Sequence, residues 1–358
     1  MGSDELTYLV AGARPNFMKL APVARALSAN GMDFKIIHTG QHYDYNLSKV
    51  FFEDLEIPKP DHFLEVGSGT HAIQTAKIMI AFEELCIENM PSLVMVFGDV
   101  NSTVACALVS SKLGIKVAHV EAGLRSRDRT MPEEINRIVT DHLSDVHFTT
   151  SDLAKTNLIE EGISENNIHF VGNVMIDTLV WQKEKIQKSQ ILKELGLIKN
   201  EYDLITLHRP SNVDSRSKLI DILEAFNHSS FAKIVFPIHP RTKNSIKKFK
   251  LQHLVETDKF ELIEPLGYND FISLVSNSNS VWTDSGGIQE ESSFLGVRCI
   301  TLRQNTERPE TVLMGTNTLV DPTKDSIIKM RKELRLTSTK SIPLWDGNAS
   351  ERIIAHLK

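Results

Sequence analysis

The chain contains the run Leu93-Val94-Met95-Val96-Phe97, five apolar residues in succession, and Gly98-Asp99 follows it directly. A continuous apolar run of this length is typical of a strand that is covered on both faces, as in a parallel sheet. Similar runs alternate with helical stretches, beginning with a predicted strand over 7–11, a helix over 17–29 and a strand over 34–39. This alternation predicts an α/β fold with doubly wound parallel sheets.

Two such arrays occupy the 358 residues, a length that suits two domains of roughly 150 residues each. The stretch 174–200 is mostly polar and separates the arrays. We therefore expect a Rossmann-like N-terminal domain over residues 1–173 and a second Rossmann-like domain over 174–345. Residues 346–358 predict a C-terminal helix that packs back on the N-terminal domain.

The composition excludes several classes of protein. Hydrophobic residues make up 41% and charged residues 24%, as in ordinary globular proteins, so wholesale disorder and a coiled coil are excluded. The formal net charge of -6 offers no positive field to nucleic acid or to an anionic membrane. No apolar stretch approaches the ~20 residues of a membrane span. The three cysteines lie far apart, which indicates neither disulfides nor a metal site. We expect a cytoplasmic protein with no metal, nucleic-acid or membrane partner.

Polar residues follow the predicted strands of the first array. Arg14 and Lys19 stand near the start of a helix after a glycine turn, a pattern that suits a phosphate group. Asp99 and Glu121 follow two strand ends, and Glu133 stands at a helix start. Each acid alone is more simply structural, as a helix cap for example. Clustered carboxylates, however, push one another's pKa values apart and supply acid/base pairs.

Two histidines follow strands of the second array. His208 comes after the predicted strand 203–207, and His239 after the strand 233–237. A histidine at such a place can steady a diphosphate, and His208 could donate a proton to a leaving phosphate oxygen. For His239, which precedes Pro240, a structural role is the simpler interpretation.

The sharpest motif is Thr283-Asp284-Ser285-Gly286-Gly287, a strand end that enters a helix. Glycines let a phosphate approach the backbone, the helix N-terminus supplies N–H donors, and an acid one turn later can bind ribose hydroxyls. The motif therefore predicts a nucleoside diphosphate as ligand. The chain has no GxGxxG fingerprint, so a nicotinamide or flavin is not indicated and we expect no cofactor.

In their order along the chain, these motifs resemble those of the non-hydrolysing UDP-N-acetylglucosamine 2-epimerases over nearly the whole length. The matching stretches are Gly12-Ala13-Arg14-Pro15 with Lys19, Thr39-Gly40-Gln41-His42, Gly98-Asp99, 119–125, Pro132-Glu133-Glu134 with Asn136-Arg137, Leu207-His208-Arg209, 284–291 and 306–310. The resemblance implies the two-domain GT-B glycosyltransferase fold, a UDP-sugar in the cleft between the domains, a homodimer, and inversion at C2 without a redox cofactor.

The resemblance also assigns roles to individual residues. It implies that Asp99, Glu121 and Glu133 supply acid/base groups for the two faces of C2 and that His208 assists the departing UDP. Arg137 would position or balance Glu133, and Glu291 would bind the ribose. The implied substrate-binding and UDP-binding residues are Arg14, Lys19, Gln41, His42, Arg137, His239, Ser285, Gly286, Gly287, Glu291 and Arg308.

The expected reaction is elimination of UDP to 2-acetamidoglucal followed by re-addition, because the C2 hydrogen lies next to no carbonyl and a nicotinamide site is not indicated. Four alternatives stay open: a 2-epimerase acting on UDP-2,3-diacetamido-glucuronic acid, a hydrolysing 2-epimerase that releases N-acetylmannosamine and UDP, a glycosyltransferase of the same fold, and a UDP-sugar-binding regulatory protein. The runs Gln41-His42-Tyr43-Asp44 and 208–211 differ from the Gln-His-Arg-Glu and His-Arg-Arg-Glu of better-known members. In some bacterial members these regions help bind a second substrate molecule as an activator. The differences therefore argue against such activation here.

Overall fold

The computed structural model describes residues 6–41, 54–333 and 340–358, with Arg14 described by its backbone alone. The chain divides into two compact units. Unit 1 comprises Met1–Trp181 and Pro343–Lys358, and unit 2 comprises Gln182–Ile342. In the part of the chain that is described, no helix is both long and apolar enough to cross a membrane.

Unit 1 is built on parallel strands. Its strands are β1 (Thr7–Ala11), β2 (Phe34–His38), β3 (His62–Phe63), β4 (Leu93–Phe97), β5 (Lys116–Ala122), β6 (Val146–Thr149) and β7 (Ile168–Phe170). Its helices within the described ranges are α1 (Arg14–Ala29), α2 (His71–Glu88), α3 (Asn101–Lys112), α4 (Pro132–Leu143), α5 (Asp152–Glu160), α6 (Val174–Trp181) and α16 (Ala349–Leu357). Seven described strands form one sheet in the order β3-β2-β1-β4-β5-β6-β7.

Unit 2 repeats this design with a smaller sheet. Its strands are β8 (Tyr202–Thr206), β9 (Lys233–Pro237), β10 (Phe260–Ile263), β11 (Ser280–Thr283), β12 (Cys299–Thr301) and β13 (Asn317–Leu319). Its described helices are α7 (Lys183–Lys188), α8 (Ile191–Glu194), α9 (Pro210–Val213), α10 (Arg216–Phe226), α11 (Pro240–Phe249), α12 (Tyr268–Asn277), α13 (Gly286–Leu295), α14 (Pro309–Leu313) and α15 (Lys324–Glu333). The strand order among the described residues is β10-β9-β8-β11-β12-β13.

The strand pairs in both sheets are parallel, which confirms the predicted α/β class. Residues 94–97 of β4 are wholly buried, as expected of a strand covered on both faces. In each sheet the strand order reverses at one place, between β1 and β4 in unit 1 and between β8 and β11 in unit 2. Ligands of open α/β sheets bind beyond the carboxyl ends of strands at such a reversal.

The boundary between the units falls after Trp181, further along the chain than the expected position after residue 173. The reason is α6, whose residues 174–179 are buried and whose Thr178 Oγ1 donates to the Met18 carbonyl of α1. The C-terminal helix α16 also belongs to unit 1, where Asp177 accepts hydrogen bonds from the backbone N–H groups of Ala349 and Ser350. The polar linker therefore begins only after α6.

Three short strands were not expected from the sequence: β3, β7 and β13. They have two or three residues each and lie at or beside a sheet edge. So few residues show no alternation of polar and apolar positions, and their pairing is decided by the neighbouring strand. Helix α1 also begins earlier than expected, at Arg14, because Pro15 suits a first turn whose N–H groups lack helical partners.

The core of unit 2 contains an aromatic cluster of Phe226, Phe231 and Trp282, with ring centroids 4.9–5.5 Å apart. We predict that Phe226→Ala lowers the free energy of unfolding of unit 2 by about 3–5 kcal/mol, because it leaves a cavity against Trp282. Denaturant titration followed by tryptophan fluorescence measures this. The exposed Leu313→Ala is the control and should change the same quantity by less than about 0.5 kcal/mol. Equal losses would contradict this account of the core.

Candidate active site

The sheet edge of unit 1 brings several expected residues together where β1, β4 and β5 end. At its centre, Lys19 Nζ donates to Glu121 Oε2, and both side chains are buried. A Cβ on Gly98 would lie 2.7 Å from Lys19 Nζ and 3.2 Å from Glu121 Oε2. Only glycine therefore leaves room for this ion pair, and Gly98 adopts a positive φ of 64° as well.

Glu121 occupies an unusual backbone position. Its φ is 73°, and the register between β5 and β6 shifts from Val120 to Ala122, so it lies in a β-bulge. A non-glycine residue in the left-handed region is uncommon and costs free energy, and bulges near active sites redirect a side chain. The ammonium of Lys19 compensates the charge of this buried carboxylate.

The buried Arg137 and the half-buried Asp99 form a second group at this edge. Arg137 donates to Asp99 Oδ2 and, at 2.7 Å, to Glu134 Oε2. The Asp99 carbonyl accepts a hydrogen bond of 2.9 Å from Asn136 Nδ2. The carboxylate that pairs with Arg137 is thus Glu134, whereas the neighbouring Glu133, the expected partner, is half-buried on the first turn of α4.

Glu134 was not expected to matter, yet it anchors the loop before α4. It accepts backbone hydrogen bonds of 2.9 Å from Ser126 and 2.8 Å from Arg127. Burial alone would raise the pKa of Glu134, but these N–H groups and Arg137 lower it below its ordinary value. Its ionised form therefore holds Arg137 toward Asp99.

Gln41 is engaged inside unit 1. Its side-chain oxygen accepts hydrogen bonds of 2.7 Å from Ser102 Oγ and 3.1 Å from the Ser102 N–H. Its backbone carbonyl accepts a hydrogen bond of 3.0 Å from Gln74 Nε2 on α2. His42 lies outside the described residues, and the side chain of Arg14 is not described.

The side chain of His119, on β5, is hydrogen-bonded to the turn that follows β4. Its Nε2 lies 2.8 Å from the Gly98 carbonyl and its Nδ1 lies 2.6 Å from Asp141 Oδ1, with both side chains fully buried. A carbonyl only accepts, so His119 Nε2 donates to Gly98, and Asp141 also pairs at 2.7 Å with Arg125. Burial would raise the pKa of Asp141, but His119 and Arg125 lower it.

Sequence reasoning missed this charged group because its members, His119, Arg125 and Asp141, lie on a strand, a loop and a helix. The motif around His119 was a signal, but the spacing of its residues does not show that Asp141 reaches it. The group fixes the Gly98 carbonyl and therefore the turn that carries Asp99.

In unit 2, His208 and Asp284 meet at the ends of β8 and β11. His208 Nδ1 lies 3.0 Å from Asp284 Oδ1, and the backbone N–H groups of His208 and Arg209 donate to the same carboxylate. Burial would raise the pKa of Asp284, but His208 lowers it. Asp284 therefore holds the half-exposed His208 ring by Nδ1 and leaves Nε2 as the atom that can meet a ligand.

His239 lies beside His208, with ring centroids 5.7 Å apart. Its side chain accepts a 3.2 Å hydrogen bond from the Arg241 N–H and caps the N-terminus of α11. This contact matches the structural role that was the simpler interpretation of His239.

The motif 283–287 forms the start of α13. Ser285 is the N-cap, and Gly286 is the first helical residue. A Cβ on Gly286 would lie 2.5 Å from an Arg308 nitrogen and 2.8 Å from Glu307 Oε1, so a larger residue would displace these side-chain ends. The first turn of α13 thus places N–H donors beside the guanidinium of Arg308, an arrangement suited to an anion.

Glu307 holds several arginines in place around this helix start. It pairs with Arg308 at 2.6 Å, with Arg303 at 2.8 Å and with Arg209 at 3.6 Å. Burial would raise its pKa, but these three guanidinium groups lower it well below the ordinary value. Arg308 also lies 3.0 Å from Glu290 Oε1. The sequence offered no signal for this role of Glu307.

Glu291 is buried one turn further along α13, and its environment differs. Burial raises its pKa to about 8, although a hydrogen bond with Tyr268 opposes this. Its Oε1 has no hydrogen-bond partner among the described residues. A buried carboxyl group with an unused oxygen is a suitable acceptor or donor for a ligand hydroxyl.

The residues described in the structure include no cluster of three or more His, Cys, Asp or Glu side chains placed to hold a metal ion. The expected residues of unit 1, Lys19, Asp99, Glu121 and Arg137, meet at one sheet edge. Those of unit 2, His208, His239, Ser285, Gly286, Gly287, Glu291 and Arg308, lie at the ends of β8, β9 and β11 and on and beside α13.

We predict that Asp141→Ala lowers the free energy of unfolding of unit 1 by about 3–5 kcal/mol, because it removes the buried carboxylate that His119 Nδ1 and Arg125 share. Chemical denaturation followed by circular dichroism measures the loss. Asp33→Ala, at an exposed position of the same unit, is the control and should change stability by less than about 0.5 kcal/mol. A small effect of Asp141→Ala would contradict the charged group described above.

We predict that Glu291 makes unit 2 less stable as pH rises. Its folded pKa of about 8 exceeds the ordinary 4.5, so the folded state binds the proton more tightly and stability falls as pH rises between these values. The slope contributed is at most about 1.4 kcal/mol per pH unit. Unfolding of Glu291→Gln, measured across this range, should show a shallower decline than the parent protein. Parallel curves would contradict the assignment.

Comparison with known proteins places the chain in a family. A sequence profile of the UDP-N-acetylglucosamine 2-epimerase family matches residues 25–358. The UDP-N-acetylglucosamine 2-epimerase of Methanocaldococcus jannaschii is 45% identical over 355 residues, covering 97% of each chain. Its crystal structure in complex with UDP-GlcNAc and UDP has a TM-score of 0.92 at 44% identity and covers 99% of each chain.

A third relative carries a different substrate name. The UDP-2,3-diacetamido-2,3-dideoxy-D-glucuronate 2-epimerase of Pseudomonas aeruginosa is 40% identical over 356 residues, covering 97% of this chain and 98% of that protein. The full-length likeness to the M. jannaschii structure confirms the predicted GT-B-type fold class, and the profile confirms the family expected from the motifs. The chain therefore belongs to the UDP-N-acetylglucosamine 2-epimerase family and is an isomerase of nucleotide sugars.

Proposed function

We propose that the chain interconverts UDP-N-acetylglucosamine and UDP-N-acetylmannosamine by reversible elimination and re-addition of UDP, without releasing free sugar. The observation that carries this proposal is the pair of carboxylates, Asp99 and Glu121, each bound to a cation at the carboxyl edge of one sheet. An inversion at carbon needs a base on one face and an acid on the other, and two carboxylates at one edge supply both.

In the forward reaction, one carboxylate takes the C2 proton while the C1–O bond breaks and its electron pair leaves with the diphosphate. The products held on the enzyme are 2-acetamidoglucal and UDP. For the return, the diphosphate oxygen attacks C1 and a second acid delivers a proton to the opposite face of C2. Asp99, Glu121 and Glu133 are the candidates for these two roles.

Unit 2 supplies the groups that bind and stabilise UDP in this proposal. The N–H groups of Ser285, Gly286 and Gly287 and the guanidinium of Arg308 receive the diphosphate, and Glu291 receives a ribose hydroxyl. His208, held through Nδ1 by Asp284, uses Nε2 to support the charge that develops on the leaving oxygen.

The P. aeruginosa relative makes UDP-2,3-diacetamido-glucuronic acid the second candidate substrate. Its sugar carboxylate requires a cation. Lys19, Arg125 and Arg137 in unit 1 are already paired with Glu121, Asp141 and Asp99, respectively. This pairing favours the uncharged N-acetylhexosamine.

The test is proton and phosphorus NMR of the protein with UDP-N-acetylglucosamine in D2O. We predict that deuterium enters C2 as UDP-N-acetylmannosamine forms and that the diphosphate ester is intact at equilibrium. Glu121→Gln should slow the exchange by about 100-fold or more, since it removes a proton-transfer group. Asp99→Asn, at a less buried site, should also slow it. Glu160→Gln, on the exposed surface of unit 1, is the matched control and should leave the rate unchanged.

Other outcomes point elsewhere. Free N-acetylmannosamine and UDP would identify a hydrolysing enzyme, and turnover of the diacetamido-glucuronic acid substrate alone would overturn the substrate assignment. Unchanged exchange in Glu121→Gln would remove that carboxylate from the mechanism.

A further inference from the structure

The carboxylate of Asp141 contacts two turns at the sheet edge of unit 1. Asp141 belongs to α4 and is fully buried. Its Oδ1 lies 2.6 Å from His119 Nδ1, and Nε2 of the same ring donates to the Gly98 carbonyl at 2.8 Å. Its Oδ2 accepts a hydrogen bond of 3.2 Å from the Gly123 N–H. One side chain therefore holds the backbone of two turns, one after β4 and one after β5.

The contacts of Asp141 with β5 lie on either side of Glu121. His119 precedes Glu121 by two residues, and Gly123 follows it by two. Glu121 has a φ of 73° inside the β-bulge, and a residue keeps such a conformation only where its surroundings impose it. Gly123 has a φ of 79°, and a Cβ there would clash with the Ala154 carbonyl. The bulge is thus fixed from both ends, and Asp141 is common to both.

The turn after β4 is held by the same strand. The Gly98 N–H donates a hydrogen bond of 3.1 Å to the Val120 carbonyl, and the Gly98 carbonyl accepts from His119. Both backbone polar groups of Gly98 are therefore bonded to successive residues of β5, and Asp99 is the next residue in the chain. Because Asp141 fixes the ring of His119, it acts on the position of Asp99 through one intermediate side chain.

Charge compensation alone does not account for Asp141. Its Oδ2 pairs with Arg125 Nη1 at 2.7 Å. Arg125 already has a second carboxylate, because Glu161 accepts from its Nε at 2.8 Å and from its Nη2 at 2.6 Å. A guanidinium with a bidentate carboxylate partner has its charge compensated. What Asp141 adds is its contact with His119 and with the Gly123 N–H.

We propose that Asp141 is a positioning residue that holds the bulge at Glu121 and, through His119, the turn at Asp99, and so sets the separation of these two carboxylates. This role rests on the proposed function, in which the two carboxylates exchange the C2 proton. Asparagine has the shape of aspartate, but its Nδ2 cannot accept a hydrogen bond, so Asp141→Asn loses the contacts of one carboxylate oxygen.

The first test compares the steady-state kinetics of Asp141→Asn and the parent protein with UDP-N-acetylglucosamine. We expect kcat to fall by about 10–100-fold, because a small misplacement of reacting groups is costly. KM and the dissociation constant of UDP should be unchanged, since unit 2 binds UDP in the proposed function. An unchanged kcat would overturn the proposal.

The matched control is Ile78→Ala, in the apolar core of unit 1. It lowers stability by opening a cavity, but it removes no hydrogen bond from either turn. Its kcat should equal that of the parent protein. An equal fall of kcat in Ile78→Ala and Asp141→Asn would reduce the effect of Asp141 to lost stability and overturn the proposal.

The second test is amide hydrogen exchange of the protein without substrate, followed by mass spectrometry. Asp141→Asn should speed exchange in residues 98–103 and 119–125 and leave unit 2 unchanged. His119→Asn keeps a donor toward Asp141 but loses the one toward Gly98, so it should speed exchange in 98–103 alone. This second variant retains the pair of Asp141 with Arg125. Its kcat should also fall, and an unchanged kcat would overturn the link from His119 to the reaction.

The two tests separate this role from the proposed function. Unchanged exchange in 119–125, or exchange that rises equally in both units, would overturn the role of Asp141. A parent protein that does not turn over UDP-N-acetylglucosamine would contradict the proposed function, and amide exchange would still decide whether Asp141 holds the two turns.

Discussion

The buried ion pair between Lys19 and Glu121 is the interaction around which the sheet edge of unit 1 is arranged. A carboxylate and an ammonium leave water at a cost of several kcal/mol each, so they need close contact with one another. That contact leaves no room for a side chain at Gly98 and coincides with the bulge at Glu121. His119 Nε2 holds the Gly98 carbonyl by a hydrogen bond, which connects the ion pair to the turn at Asp99.

The buried carboxylates of unit 2 lie in two contrasting environments. Glu307 is surrounded by guanidinium groups that lower its pKa, whereas burial raises the pKa of Glu291 to about 8 and that of Glu310 to about 7. The first kind of carboxylate orients arginines and stays charged. Burial disfavours the charged form of the second kind, which suits contact with hydroxyl groups rather than with a diphosphate.

Much of this organisation follows from local sequence. The strands β1, β4 and β9 were predicted closely, since each is a short apolar run between turn residues, and the glycines at the strand ends identified both sheet edges. Charged contacts between distant elements could not be predicted, as with His119 and Asp141.

The left-handed backbone at Glu121 sets two kinds of selection against each other. Glycine adopts a φ of 73° without steric cost, and asparagine adopts it more readily than glutamate. Selection for a relaxed backbone alone would therefore favour glycine here, whereas selection for the buried contact with Lys19 favours the carboxylate. Because Glu121 is also a proposed proton-transfer group, a screen for turnover has to accompany any screen for heat resistance that varies residue 121.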